Sequence, residues 1–176
     1  MKAIIFTLFL SVFTYVFWIQ AIDKPRAEEF KNKPAAVDTT PKVTGIGGIF
    51  FKTKSPKAMR EWYGKNLGLA VNAYGSPFEF RNANRPEEVN YLIWSPFKDS
   101  SSYFKPSEKE YMINYRVQNL EGLLRNLKKN GIVPIDKVET VDYGKFVHIM
   151  DPYGNKIELW EPIDSVLTKT GEKTTK

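Results

Sequence analysis

The chain reads as an α+β protein: two β-α-β-β-β units pairing into one curved mixed sheet with helices outside, preceded by a hydrophobic N-terminal helix. Three observations predict this. Strand-like and helix-like patterns alternate in the same order twice between residues 43 and 162. The strand-to-helix parts of the two copies align at one constant offset of 64 residues, which sets Gly48 opposite Met112, Phe51 opposite Tyr115 and Ser55 opposite Asn119. Ahead of them, residues 3–22 (AIIFTLFLSVFTYVFWIQAI) carry no charged side chain.

The elements follow in order. Residues 3–22 supply about 20 apolar residues, enough for a ~30 Å hydrocarbon core, and exceed a signal-peptide h-region of roughly 7–15 residues. A buried helix in a soluble core is a poor alternative, because no face could meet water. Residues 1–22 therefore read as a signal peptide or an uncleaved membrane anchor, both readings open. Lys2 favours a cytoplasmic N-terminus and Lys24, Arg26, Lys31 and Lys33 the reverse; the reading adopted is membrane-anchored or exported. Residues 23–42, polar with three prolines, form a linker. The polar tail 163–176 is expected to be flexible.

Within 43–162, residues 43–52 (VTGIGGIFFK) form the first strand. Ser55-Pro56 opens a helix and Gly68 closes it, with Met59, Trp62, Tyr63 and Leu67 at helical spacing as core. Strands follow near 69–74, 77–82 and 88–96. In the second copy, 110–117 (EYMINYRV) is a strand, and Asn119 caps a helix that faces the core with Leu120, Leu123, Leu124 and Leu127. Strands near 132–138, 144–150 and 156–161 complete it, the last two joined by the turn Asp151-Pro152-Tyr153-Gly154-Asn155. Two such units leave a concave pocket between them.

Bulk composition narrows function. The net charge is +6, from 26 basic and 20 acidic residues. The lysines are dispersed rather than clustered with aromatics, so no nucleic acid is expected as partner. The absence of cysteine excludes disulfides, thiolate metal sites and cysteine nucleophiles.

The motifs GIGGIFFKTKSPKAMREWYGKNLGL, YMINYRVQNLEGLLRNLKKNG and GKFVHIMDPYGNKIELWEP together make residues 43–162 resemble the vicinal oxygen chelate superfamily of glyoxalase I, bleomycin-resistance proteins and extradiol dioxygenases. The stretch WSPFKDSSSYFKPSEKEYMINYRV is similar to a glyoxalase/bleomycin-resistance-like subgroup of unassigned reaction. The resemblance implies a divalent metal on the concave face, held by His and Glu from the first and last strands of each unit, and a homodimer. Carried over, those positions fall on Gly48, on Met112, within Leu92, Ile93 or Trp94, and on Glu158. Only Glu158 is a ligand type. With one histidine in the chain, a two-histidine site cannot be built, even across a symmetric dimer, so no metal or other cofactor is expected. Zn-, Ni- or Fe-type ions want imidazole or thiolate.

His148 is that histidine. A five-residue turn at 151–155 pairs Met150 with Lys156 and sets His148 across from Glu158, both facing the pocket; one residue more or less would turn His148 away. The two could form an acid/base pair, or His148 could fill space and hydrogen-bond Glu158 for structure. To the positions Gly48, Trp94 and Met112 that the resemblance implies, strand alternation adds Phe50, Asn114, Arg116 and Trp160 as ligand-binding candidates. Three functions compete. The leading one is a metal-free domain binding a small, partly apolar organic molecule. The alternative is a lyase-, isomerase- or dioxygenase-type enzyme using Glu158 with His148 or an unusual metal site. The third is a membrane-tethered interaction protein with a vestigial pocket.

Overall fold

The computed structural model describes residues 38–176. The hydrophobic segment 3–22 and residues 23–37 of the linker lie outside them. Among the described residues, no helix is long and apolar enough to cross a membrane.

The first unit begins with strand β1 (Lys42–Thr53). Helix α1 (Pro56–Leu67) then starts where the Ser55 side chain accepts the Ala58 N–H, with proline in its first turn. It stops at Gly68, whose left-handed φ of 73° returns its N–H to Gly64 and Tyr63 carbonyls. Strands β2 (Ser76–Arg81) and β3 (Val89–Lys98) complete the unit. The second unit runs β4 (Tyr111–Gln118), α2 (Leu120–Lys129), β5 (Glu139–Val141), β6 (Gly144–Met150) and β7 (Lys156–Pro162). Asn119 caps α2 by accepting the Gly122 N–H from a left-handed backbone, which asparagine tolerates.

All seven strands form one mixed sheet in the order β2-β3-β1-β4-β7-β6-β5. β1 runs parallel to β3, and β4 parallel to β7. The units join where β1 and β4 pair antiparallel, with Gly48 beside Asn114 and Phe50 beside Met112. The paired-unit α+β expectation holds.

Two expected strands are absent. Residues 69–74 form a turn-rich connection, because the Asn72 side chain draws the Tyr74 and Gly75 N–H groups into a turn. Residues 132–138 form an irregular segment in place of a strand, and β5 follows it as only three residues. Along that segment Ile135 N–H donates to the His148 carbonyl, and the Asp136 carboxylate takes the His148 N–H. A side chain thus stands in for a strand partner.

The tail, expected from sequence to be flexible, carries elements of its own. Residues 163–176 contain a third helix, α3 (Asp164–Thr170), and a bridge in which Thr175 pairs parallel with Phe78 at the β2 edge. Thr175 N–H donates to Pro77 and its carbonyl accepts from Glu79. Its hydroxyl accepts the Ala70 N–H and hydrogen-bonds the buried Ser76 hydroxyl. The polar residues that suggested mobility are the ones that pin the tail. Thr39–Lys176 forms one compact unit.

Candidate functional site

The inner face of the sheet holds a cavity of about 400 Å³. Its walls are aromatic: Phe50 from β1, Phe97 from β3, Tyr103 from the β3–β4 connection, Tyr143 and Phe146 from β6 and its approach, and Trp160 from β7. Phe97 lies flat on Tyr103 at 5.4 Å between centroids, and Phe146 flat on Trp160 at 5.7 Å. Leu167 of α3 and Glu172 behind it complete the rim, so the pinned tail forms one wall.

The polar floor is centred on Glu158, which is 2% exposed. As expected from the five-residue turn, Met150 pairs with Lys156 and His148 with Glu158. Three donors converge on the carboxylate. His148 Nε2 lies 2.9 Å from Oε1, the Tyr103 hydroxyl donates to the same oxygen, and Asn114 Nδ2 donates to Oε2. On the far side, His148 Nδ1 lies 2.6 Å from the Asp136 carboxylate. Both ring nitrogens therefore face carboxylates, an arrangement that only the doubly protonated imidazolium satisfies.

Charge follows this geometry. Burial works against the His148 cation, but the hydrogen bond and charge of Glu158, with the Asp136 hydrogen bond, outweigh it and raise the imidazole pKa above its ordinary value. Burial likewise works against the Glu158 anion, but hydrogen bonds from His148, Tyr103 and Asn114 outweigh it and lower its pKa. Burial first, then the Glu158 charge, push the Tyr103 phenol far up, so it stays a proton donor. These shifts favour an imidazolium–carboxylate pair at the centre, with a neutral phenol beside it.

Of the candidates named from sequence, Glu158, His148, Phe50, Asn114 and Trp160 line this cavity. Four are placed differently. Trp94 lies on the opposite side of the sheet, its ring 4.6 Å from Tyr63 and 5.3 Å from Phe51, because inward positions on β3 are Ile93, Ser95 and Phe97. Met112 faces inward but is fully buried against Phe50 and Phe104. Gly48 shares the inner face, yet a β-bulge between Ile46 and Gly48 makes Gly47 the residue that lines the cavity; the Phe50 ring occupies the space beside Gly48. Arg116 opens onto a second hollow of about 680 Å³, where its guanidinium holds the Asp164 carboxylate at 2.5 Å and the Tyr91 carbonyl at 3.0 Å.

Tyr103, Phe104, Phe97, Phe146 and Asp136 escaped the sequence reading. Alternation gave a usable signal for Phe146, two residues before His148, and for Phe97. Nothing local marked Tyr103 and Phe104, which a short 3-10 turn (Ser102–Phe104) in the β3–β4 connection carries into the inner face. Asp136 was hidden by the strand expected at 132–138.

The positions where the resemblance implies metal ligands do not fit a metal. Gly48 offers no donor, Met112 is packed shut, Ile93 is apolar, Trp94 faces away, and Glu158 is already taken by three donors. Among the described residues, no group of three or more His, Asp or Glu is placed to share an ion.

No family model matches the chain, and no curated protein does. Among solved structures it is similar to methylmalonyl-CoA epimerase from Mycobacterium tuberculosis, at 19% identity and a TM-score of 0.49 over 79% of this chain and 99% of that one. It is also similar to a glyoxalase/bleomycin resistance protein/dioxygenase superfamily member from Vibrio splendidus 12B01, at 14% identity and 0.41 over 69% and 99%. A variant of homoprotocatechuate 2,3-dioxygenase from B. fuscum gives 15% and 0.44 over 80% of this chain and 41% of that one. These are likenesses of fold. The paired-unit sheet, read from its own strand order and register, is consistent with the fold that the resemblance of residues 43–162 to the vicinal oxygen chelate superfamily implies.

Proposed function

We propose that this domain binds a small, partly apolar organic molecule in the aromatic cavity and does so without the divalent metal of the proteins it resembles. The observation that carries the reading is the state of Glu158. Its two oxygens already accept from Tyr103, Asn114 and His148, so the carboxylate organises a binding floor instead of presenting open coordination positions. The aromatic walls supply most of the buried area a ligand of this size needs, and the few polar groups fix its orientation.

The test uses the full-length protein in a neutral detergent. Aromatic fragments are screened by ligand-observed NMR against the native chain and against Leu167→Trp, which fills the cavity from the α3 side. Hits that disappear in the variant support the reading, and hits that persist place binding elsewhere. Metal content after incubation with Ni, Zn, Mn and Fe(II) is measured on the same protein. One tightly held ion per chain, lost in Glu158→Ala, overturns the metal-free part.

The run Asp136–His148–Glu158–Tyr103 favours a second reading, an acid/base enzyme, because four titratable groups in hydrogen-bonded sequence end at the cavity. Against it, a general base needs a pKa near working pH, and here the two pKa values are pushed apart, His148 upward and Glu158 downward. Glu158→Gln separates the two: a binding domain keeps most of its affinity, whereas an acid/base enzyme loses its turnover. The apolar segment 3–22 supports a position at a membrane or in an exported compartment, and N-terminal sequencing of the mature protein distinguishes anchor from cleaved signal.

A further inference from the structure

The cavity has a charge signature that the rest of the chain does not share. The protein carries a net charge of +6, yet among the described residues no lysine or arginine lines the cavity. Its ionisable carboxylates are Glu158 at the floor and Glu139 and Glu172 at the rim, and its one cationic group, His148, is held between Glu158 and Asp136. Glu139 has no ion-pair partner among the described residues, and Glu172 accepts only from the neutral Asn72 amide. The rim therefore presents two carboxylates without an ion pair among the described residues, above walls of phenyl, phenol and indole rings.

A second feature points to the same chemistry. Asn114 lines the floor, is 2% exposed, and turns its amide N–H toward Glu158. That leaves Oδ1 buried without a hydrogen-bond partner. The unpartnered oxygen lies over Gly47, where a side chain on β1 would collide with it, with Trp160 and with Arg116. Buried acceptors are rarely left unsatisfied, and the absent side chain of Gly47, itself a cavity-lining residue, is what leaves room for this oxygen at the floor.

Resting on the binding function proposed above, we infer that the ligand is an organic cation with at least one N–H donor: a protonated amine or amidinium on an aromatic or apolar body. The aromatic walls accept the cation, Glu139 and Glu172 draw it to the mouth, and Asn114 Oδ1 leaves an unpaired acceptor at the floor. An anion of the same shape would meet Glu158 and two rim carboxylates with no lysine or arginine among the lining residues to pair with it.

The experiment compares three probes with one shared body: 1-naphthylmethylamine, 1-naphthalenemethanol and 1-naphthoate. Each is titrated into the full-length protein in neutral detergent, with a detergent-only control, and tryptophan fluorescence is followed. The amine is expected to bind about tenfold more tightly than the alcohol, the range that cation–π contact and rim charge support, and the naphthoate weakest of all. Glu139→Gln combined with Glu172→Gln should narrow the amine's advantage and leave the alcohol unchanged, and raising salt should weaken the amine alone. Alcohol or carboxylate binding as tight as the amine overturns the cation inference and leaves the cavity reading standing. Failure of all three to bind overturns the cavity reading itself.

Discussion

The two units share a plan but are consolidated on opposite sides of the sheet. In the second, α2 covers a core of Val117, Leu120, Val147, Ile149 and Leu159, with Tyr115, Leu123, Leu124, Leu127 and Ile157 packed around it. In the first, α1 buries none of its residues. Trp62 is 55% exposed and Leu67 57%, and Ile46 and Ile49 of β1 also stay exposed. The first unit's buried apolar side chains lie on the inner face, where Phe50 meets Met112 and Phe104. One unit thus carries the structural core under its helix, while the other spends its apolar residues around the cavity. The titratable chemistry is divided the same way. β6 and β7 bring His148 against Glu158, whereas the matching β2–β3 pair brings Phe78 against Leu92 and Pro77 against Ile93.

The widest test of this contrast is truncation beneath α2. Leu159→Ala should destabilise the protein by about 2–5 kcal/mol, the usual cost of removing a buried leucine and leaving a cavity, read as a shift in urea midpoint. A loss below 1 kcal/mol would mean that the α2 core does not carry the fold.

Next comes the junction between sheet and tail. Arg116 is 3% exposed, and Asp164 neutralises it. Asp164→Asn leaves that guanidinium with the Tyr91 carbonyl and no counter-charge, which should cost about 2–3 kcal/mol, somewhat less than a fully buried pair because Asp164 is partly exposed. The same change should loosen α3 and speed hydrogen exchange at Thr175. Exchange there at the native rate would show that the tail is held by its bridge to β2 alone.

The contrast also explains what the sequence revealed. Leu120, Leu123, Leu124 and Leu127 announced α2 through periodicity, and their burial followed. Met59, Trp62, Tyr63 and Leu67 have an equally helical spacing, so the helix was legible, but spacing does not say how closely a helix sits on its sheet. The expectation that all four are core failed for Trp62 and Leu67. At the site, the Asp151–Asn155 turn fixed the register of β6 on β7, and with it the meeting of His148 and Glu158. Tyr103 and Asp136 arrive from irregular connections, where no period links sequence to facing. The helix and bridge of the tail were not legible because threonines that bind a sheet edge look in sequence like those that face water.

A milder test takes the exposed side of the first unit. Trp62→Ala should cost less than about 1 kcal/mol, far below the 3–5 expected for a buried aromatic, because the residue is 55% exposed and meets the Tyr63 ring edge-on at 5.3 Å. A loss comparable with that of Leu159→Ala would erase the difference between the two helices.

The smallest expected effect is one of protons, and it belongs to the second unit alone. The folded-state pKa of His148 is raised, so its stabilising contribution is complete below the unfolded value of 6.5 and fades as pH climbs through the folded value. The pKa of Glu158 is lowered, so its contribution is complete above the unfolded value of 4.5 and fades as pH falls through the folded value. Both are fully present only between 4.5 and 6.5. The melting temperature of the native chain should therefore exceed that of His148→Gln by the widest margin in that window and converge with it on either side. A gap that instead widens steadily above pH 7 would mean that His148 is neutral in the folded protein. The fixed imidazolium–carboxylate floor would then give way to a histidine free to exchange a proton with a ligand, and the acid/base reading would take precedence over simple binding.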